Sequence, residues 1–426
     1  MNQFSKIKKN YTFITIQKLV IVSLVIGLLS AFLAISIKRI TEYFQKIFFH
    51  QAENHTIYFL VFPFVGLSLI YFLRLYLFNK KENKGIKEIF ESTNSKSKNL
   101  PSYKIPSHFI NGILTVIFGG STGIEVSTVV ATATIGSVAH QKESFFKKYK
   151  IELIAAGIAA GITALFCSPI AGILFSLEVI TKKASRVFFL TTIVAVLITL
   201  GLLEILNEPP LFAIEVTTWH YHAIPYFILL GILAGMHSVY LTKCVLFCKA
   251  QFSKINVHYY KILLGVAILS ISLFFLPELY GDGYHAMKNI LFSKEEIPLT
   301  LSYTLVLLGL LILKPIVTSV TLASGGDGGV FAPSLFLGAF LGFFVALILN
   351  MFFDAQVIPI NFMILGMAAT LSASIHAPYT ALFLVCAIVN DYTLFFPILL
   401  ICLVSKYTAK MIYPYNVYTF SASVSK

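Results

Sequence analysis

One acid stands alone in a long apolar stretch. Between Lys104 and Lys142, Glu125 is the only Asp, Glu, Lys or Arg, and ionisable groups in such surroundings are costly enough to mark function. Gly119-Gly120-Ser121-Thr122-Gly123-Ile124 precedes it, and the small, β-branched run 127–134 follows shortly after. The glycines predict a broken backbone that turns into a helix beginning near Glu125, with free amide N–H groups aimed at one spot. Such a spot attracts anions. An ionised Glu125 carboxylate takes the anion's place there, and protonation or displacement vacates it, so Glu125 reads as a gate and a candidate proton carrier. The competing reading is a solvated loop or capping glutamate; the apolar flanks favour the gate.

The second half of the chain carries a similar arrangement. Ser324-Gly325-Gly326-Asp327-Gly328-Gly329-Val330-Phe331-Ala332-Pro333 is again a flexible turn before a long apolar segment. The amides of Val330 and Phe331 are expected to face those at Glu125. Two opposed helix N-termini hold an anion without fixed positive charge and still let it leave. Asp327 is the sole charge between Lys314 and Asp354; it reads as a turn or N-cap residue at the water edge, with a functional role as the alternative. Matching Gly119-Gly120 to Gly328-Gly329 sets a repeat offset of 209 (328 − 119), and Cys167-Ser168-Pro169 against His376-Ala377-Pro378 gives the same value (378 − 169). A duplicated chain with Gly/Pro-interrupted apolar segments at corresponding places has the pattern of a transporter whose site lies between its repeats.

The elements that position these residues must lie in a bilayer. The chain has 426 residues, of which 57% are hydrophobic and 12% charged, more apolar surface than a soluble domain can hide. Residues 19–37 form an uncharged run close to the roughly 20 needed to span hydrocarbon. It is too long for a signal-peptide core and lacks a clear cleavage site, so it is expected to stay as the first span. Further spans are expected at 57–73, 187–203, 224–242, 262–276, 299–313, 330–353 and 362–389. The last contains Pro378 and is better cut in two, which points to re-entrant half-helices.

The net charge of +13 sits between spans, in Lys6–Lys9, Lys80–Lys104, Lys142–Lys150 and Lys182–Arg186. Topology accounts for it: lysine-rich loops mark the cytoplasmic side and place the N-terminus inside. The runs lack the interleaved aromatics of a nucleic-acid surface, and no nucleic-acid partner is expected. Five scattered cysteines form no CxxC pair, so neither disulfides nor a metal site is expected. There is no Walker loop, HExxH or GxSxG, and no cofactor is expected. Neither His376 with Cys386 nor His237 with Ser238 makes a nucleophile–base constellation, which leaves a membrane-embedded enzyme the weakest reading.

Taken together the motifs resemble the CLC family of chloride channels and proton-coupled anion antiporters, over nearly the whole chain. Gly328–Pro333 fits the family's G-x-F-x-P motif. Ser121–Ser127 resembles S-x-G-[KR]-E-G-P, with Glu125 on the gating glutamate. Cys167–Glu178 resembles N-x-P-L-A-G-x-x-F-x-x-E, and Ala377–Ala381 resembles A-P-x-T-A. The resemblance implies an all-α membrane fold of two inverted-topology repeats of tilted and re-entrant helices, about 17–208 and 222–424. It is expected to be one domain with no cytoplasmic regulatory domain. The resemblance also implies a homodimer in a microbial plasma membrane.

The resemblance implies an anion site formed by Lys84, Gly85, Ile86, Gly123, Ile124, Val126, Gly329, Val330, Phe331, Ala332 and Tyr418. Departures bear on mechanism. Lys84 falls on a serine that usually coordinates the inner anion; it either binds the anion or snorkels to the cytoplasm. Ile124 replaces the basic residue before the gate. Tyr418 resembles the tyrosine whose hydroxyl touches the inner anion, with an interfacial belt aromatic as the alternative. Val179 occupies the place of the inner proton glutamate, which favours passive conduction of chloride or a similar monovalent anion. Glu178 is a candidate proton relay, or an interfacial acid paired with Lys182 and Lys183. Anion/proton antiport through Glu125 is the first alternative and fluoride export a weaker one.

Overall fold

A computed structural model describes residues 3–423 except 79, 82, 96, 143, 215, 217 and 293–300, with the side chains of 3–12, 144, 301–302 and 421–423 also outside the description. The side chains of Lys6–Lys9, the start of the expected 299–313 span and the expected repeat end at 424 therefore lie outside the described residues.

The described chain is helical. Its first half runs α1 (Gln3–Asn54), α2 (Tyr58–Tyr76), α3 (Ile86–Asn94), α4 (Lys104–Ile117), α5 (Glu125–Lys142), α6 (Lys150–Phe166), α7 (Pro169–Phe175) and α8 (Arg186–Ile205). The second half runs α9 (Ile224–Ser253), α10 (His258–Phe275), α11 (Tyr284–Leu291), α12 (Leu301–Ala323), α13 (Phe331–Phe353), α14 (Pro359–Ile375), α15 (Pro378–Val389), α16 (Phe395–Ile412) and α17 (Val417–Ser423). Among the described residues there is one isolated β-bridge, Gly123 with Gly329.

Nine of the described helical stretches are long and apolar enough to cross a membrane. Two were not among the expected spans: Phe145–Phe166 and Phe395–Ile412. In the first, α6 is Ala- and Gly-rich and follows a lysine run directly; in the second, Lys406 and Lys410 stand near the end. The expected 19–37 span lies inside α1, and α12 continues past Lys314 and Pro315 to Ala323. Lys314 does not end that helix because its ammonium is fully buried and donates to carbonyls, as described below. The 362–389 segment does divide: α14 ends at Ile375, His376 takes a left-handed φ of 58°, and α15 opens with Pro378.

Small residues let the central helices touch backbone to backbone, the packing expected where hydrocarbon supplies no drive for association. A Cβ on Gly338 of α13 would stand 2.1 Å from the Gly366 carbonyl oxygen of α14, and one on Gly342 1.9 Å from that of Phe362. The first half does the same. A Cβ on Gly136 of α5 would stand 2.1 Å from the Leu153 oxygen of α6, and one on Gly157 2.2 Å from that of Thr132.

This likeness between the halves extends to individual hydrogen bonds and corrects the register. Gly119 and Gly325 both have positive φ, 85° and 105°. Gly120 N–H donates to Thr115 O and Gly326 N–H to Thr321 O, at 2.8 and 2.9 Å. The threonines then exchange partners across the halves: Ser121 N–H donates to Thr321 Oγ1 at 3.2 Å, Asp327 N–H to Thr115 Oγ1 at 2.8 Å. Every pair is separated by 206 positions (329 − 123 at the bridge). The offset of 209 holds only at the later helix breaks, where Cys167 and His376 are both left-handed before Pro169 and Pro378. Glycine matching misplaced the first segment by three residues, because the second half has three more between helix start and break: 378 − 331 = 47 against 169 − 125 = 44. The repeat mate of Glu125 is therefore Phe331.

Candidate functional site

The site is built where the two glycine turns meet. Gly123 and Gly329 exchange backbone hydrogen bonds, both at 3.2 Å, in a local two-fold arrangement. Two residues beyond each strand of this bridge a helix begins, α5 at Glu125 and α13 at Phe331, with Val330 as the N-cap of α13. The free amides of both helix ends are thus brought to one place, as the sequence predicted. Gly123 is required by close approach: an added Cβ would lie 1.8 Å from Glu125 Oε2 and 2.7 Å from Ala332 Cβ.

Glu125 sits in the seat so formed. Its side chain folds back over Gly123, it is 2% exposed, and the amides of Glu125 itself and of Ala332 face the carboxylate. Neither amide reaches hydrogen-bond geometry with Oε2, which has no partner among the described residues. Oε1 accepts from the Tyr284 hydroxyl at 2.6 Å. A carboxylate oxygen surrounded by helix N-termini occupies ground suited to a small anion, and in this conformation Glu125 fills that ground.

Below the seat lies a cavity of about 600 Å³, whose wall includes Lys84, Gly85, Ile86, Val126, Gly329, Val330 and Tyr418. Seven of the residues expected from sequence therefore share one wall. Gly123, Ile124, Glu125 and Ala332 lie beyond it around the bridge. The Phe331 ring points elsewhere, stacking on Phe166 with centroids 5.4 Å apart. Gly85 is the N-cap of α3, and a Cβ on it would stand 3.4 Å from Val126 Cγ1, so a third helix N-terminus borders the cavity. Lys84 is exposed on the wall; its backbone N–H is fixed by Glu88 Oε1 at 2.5 Å. Arg74, Lys80, Lys87, Lys249 and Lys261 add to Lys84 around the cavity, against Asp327 as the one acid among its described lining residues. Such a field concentrates anions.

Tyr418 is 7% exposed and packed against the site, which its belt alternative does not fit. Its hydroxyl has no hydrogen-bond partner among the described residues and lies 3.6 Å from where a Cβ on Gly329 would stand. Asp327 is neither the N-cap of α13 nor a solvated turn residue. It is 4% exposed, and its carboxylate accepts from the Gly328 amide at 3.0 Å and Asn83 Nδ2 at 2.5 Å, with His108 Nδ1 at 3.1 Å. It ties the second glycine turn to α4 and to the chain before α3. Glu178 is paired with neither Lys182 nor Lys183: Oε2 accepts from the Thr380 amide and hydroxyl, each at 2.7 Å, at the start of α15. Val179 beside it is buried.

Sequence reasoning missed Tyr284, His108 and Lys314. Tyr284 is 159 positions from the acid it touches; the signal that pointed to it was Gly281-Asp282-Gly283, an acid between two glycines.

The chain is 25% identical over 311 residues to the voltage-gated ClC-type chloride channel ClcB of Escherichia coli O17:K52:H18 (strain UMN026 / ExPEC), covering 72% of each. Its fold is similar to that of a CLC-type fluoride/proton antiporter (TM-score 0.80, 23% identity, 95% of this chain and 98% of that one). It is also similar to a slow cyanobacterial Cl⁻/H⁺ antiporter (TM-score 0.81, 21% identity, 96% and 97%). Residues 65–410 match the family described as voltage gated chloride channel. The chain is thus a multi-pass membrane protein of the CLC type, and it belongs to the voltage-gated chloride channel family.

Proposed function

We propose that this protein conducts chloride or a similar monovalent anion passively across the membrane, with the Glu125 carboxylate as its gate. The observation that carries the reading is the place of that carboxylate: it fills the seat between the α5 and α13 N-termini, directly above a basic cavity. An ionised carboxylate there competes with the permeating anion; a protonated or displaced one yields the seat. Passive conduction is supported by Val179, apolar and buried where the resemblance puts an inner proton acid, and by Glu178, whose Oε2 is committed to capping α15. The unit is read as one membrane domain with repeats of about 17–208 and 222–424, acting as a homodimer with one pathway per subunit. It is placed in the plasma membrane with the N-terminus and the lysine-lined cavity on the cytoplasmic side. Family membership points to transport rather than covalent catalysis.

A second reading is anion/proton exchange through Glu125. Two solved structures of similar fold are proton antiporters, and Asp327, beside the buried His108, puts an ionisable group on the cavity wall. The deciding experiment follows anion efflux and internal pH together in proteoliposomes under a voltage clamp set by potassium and ionophore, with chloride and with fluoride. Chloride flux without proton movement supports conduction. Uphill proton movement driven by a chloride gradient and abolished in Glu125→Gln establishes exchange. Flux of fluoride alone replaces the anion in either scheme.

A further inference from the structure

The turn between α10 and α11 is held far more firmly than a connection between two helices needs. Lys314, fully buried in α12, donates to Leu279 O at 3.2 Å and Gly281 O at 3.1 Å, its ammonium 4.6 Å from the Phe336 ring centroid. Asp282, buried as well, accepts on Oδ1 from Gln45 Nε2 and from the Tyr284 amide, both at 3.0 Å. Tyr280 donates to Ile117 O, the end of α4, at 2.6 Å. Gly281 and Gly283 have φ of 60° and 86°, with no room for a side chain against Gln45 or Phe336. Burying a lysine and an aspartate is unfavourable unless each is hydrogen-bonded, and here the bonds that satisfy them hold this turn. What they fix is Tyr284, the first residue of α11, whose hydroxyl meets Glu125 Oε1 at 2.6 Å.

We propose that Tyr284 is both the latch of the gate and an outer anion ligand. Its hydroxyl donates to the ionised Glu125 carboxylate while the seat is filled, and donates to the permeating monovalent anion once that carboxylate is protonated or has left. This rests on the reading of Glu125 as the gate. A phenol has one O–H to give, so carboxylate and anion compete for the same donor. Phe212 packs edge-on against the Tyr284 ring, 6.1 Å between centroids, so the hydroxyl changes partner with the ring in place. Tyr284 as a residue is partly exposed, whereas Glu125 is buried. Tyr418 stands on the cavity side of the seat, so the two hydroxyls bracket Glu125. The titratable groups acting on Glu125 are Tyr284, Asp282 and Tyr418; those acting on Asp282 include Lys314, Lys288 and Glu42.

The test is chloride titration by calorimetry on purified protein prepared free of chloride, in a double-mutant cycle of Tyr284→Phe and Glu125→Ala. Alanine is used because glutamine would still accept a hydrogen bond from the phenol. In the wild type, Tyr284→Phe loosens the competitor, and chloride affinity rises about tenfold, the scale of a hydrogen bond to a charged group. In Glu125→Ala the seat is vacant, and Tyr284→Phe removes a ligand, so affinity falls by a similar factor. Opposite signs in the two backgrounds are expected; the same sign, or no change in both, overturns the assignment of Tyr284. Asp282→Asn, which weakens the turn but keeps the phenol, moves affinity in the same two directions with smaller amplitude. Absence of chloride binding in both the wild type and Glu125→Ala overturns the gate reading itself.

Discussion

A carboxylate at a helix N-terminus imitates the anion that the same amides could hold, and Glu125 has little else to hold it. Among the described residues one oxygen has a single phenol donor and the other has none, so the hold depends on charge more than on a dense hydrogen-bond set. Removing the charge while keeping the shape should therefore release it. In Glu125→Gln, chloride efflux at neutral pH is expected to rise about tenfold, the factor that corresponds to about 1.4 kcal/mol of lost attraction to the helix ends. The pH profile gives the sign. Wild-type efflux should increase as the pH is lowered and Glu125 takes up a proton, whereas the glutamine variant should show a flat profile; efflux measured from pH 4 to 8 checks both. At this scale the sequence disclosed the residues whose chemistry is local. Glu125 stood out because no other Asp, Glu, Lys or Arg lies between Lys104 and Lys142, and Tyr418 because of the motif around it. Tyr284 did not, since its role depends on a turn folded from α10, α11, α12 and the end of α4.

Helices place these residues by touching along glycine, and the α13–α14 crossing is the tightest such place. Gly366→Ala would put a Cβ 2.0 Å from the Gly338 carbonyl oxygen, a backbone atom that a rotamer change cannot move. The expected loss is about 1–3 kcal/mol, the usual result of overpacking, read as a lower midpoint of thermal unfolding in detergent. Gly201→Ala in α8 is the control. A Cβ there meets nothing within 4 Å, and the substitution should be neutral or stabilise by up to about 1 kcal/mol through helix propensity. Equal effects at the two positions would remove the close-packed crossing from the account. Element types were legible in composition and in the Pro378 break, but the repeat register was not. Glycines match glycines at several offsets, and it takes folded contacts, the Gly123–Gly329 bridge and the exchanged bonds of Thr115 and Thr321, to select 206 over 209. Likewise α6 escaped notice because helices buried by other helices carry alanine and glycine rather than the leucine-rich face that lipid demands.

The molecule as a whole is asymmetric about its gate. On one side the cavity opens to Gly329 and Tyr418 through a lining with six cations and one acid among the described residues. On the other, Tyr284, Phe212 and the turn held by Lys314 stand over Glu125. On the proposed reading, an anion reaches the site from the basic side in this conformation, and the lysine distribution puts that side in the cytoplasm. A cysteine at position 84 reports on all three statements. In Lys84→Cys with Cys167, Cys244, Cys248, Cys386 and Cys402 replaced, membrane-impermeant thiol reagents should react only from the cytoplasmic side. A sulfonate-bearing reagent should react faster than an ammonium-bearing one of equal size, by about tenfold at low salt, because the five remaining cations attract the first and repel the second. Raising ionic strength from about 0.01 to 1 M shortens the screening length from about 30 to 3 Å, so the ratio should fall toward one. Reaction from the outer side would reverse the assigned orientation. A ratio near one at low salt would mean that the lysines do not shape the field inside the cavity, and the anion would then owe its place to the helix N-termini alone.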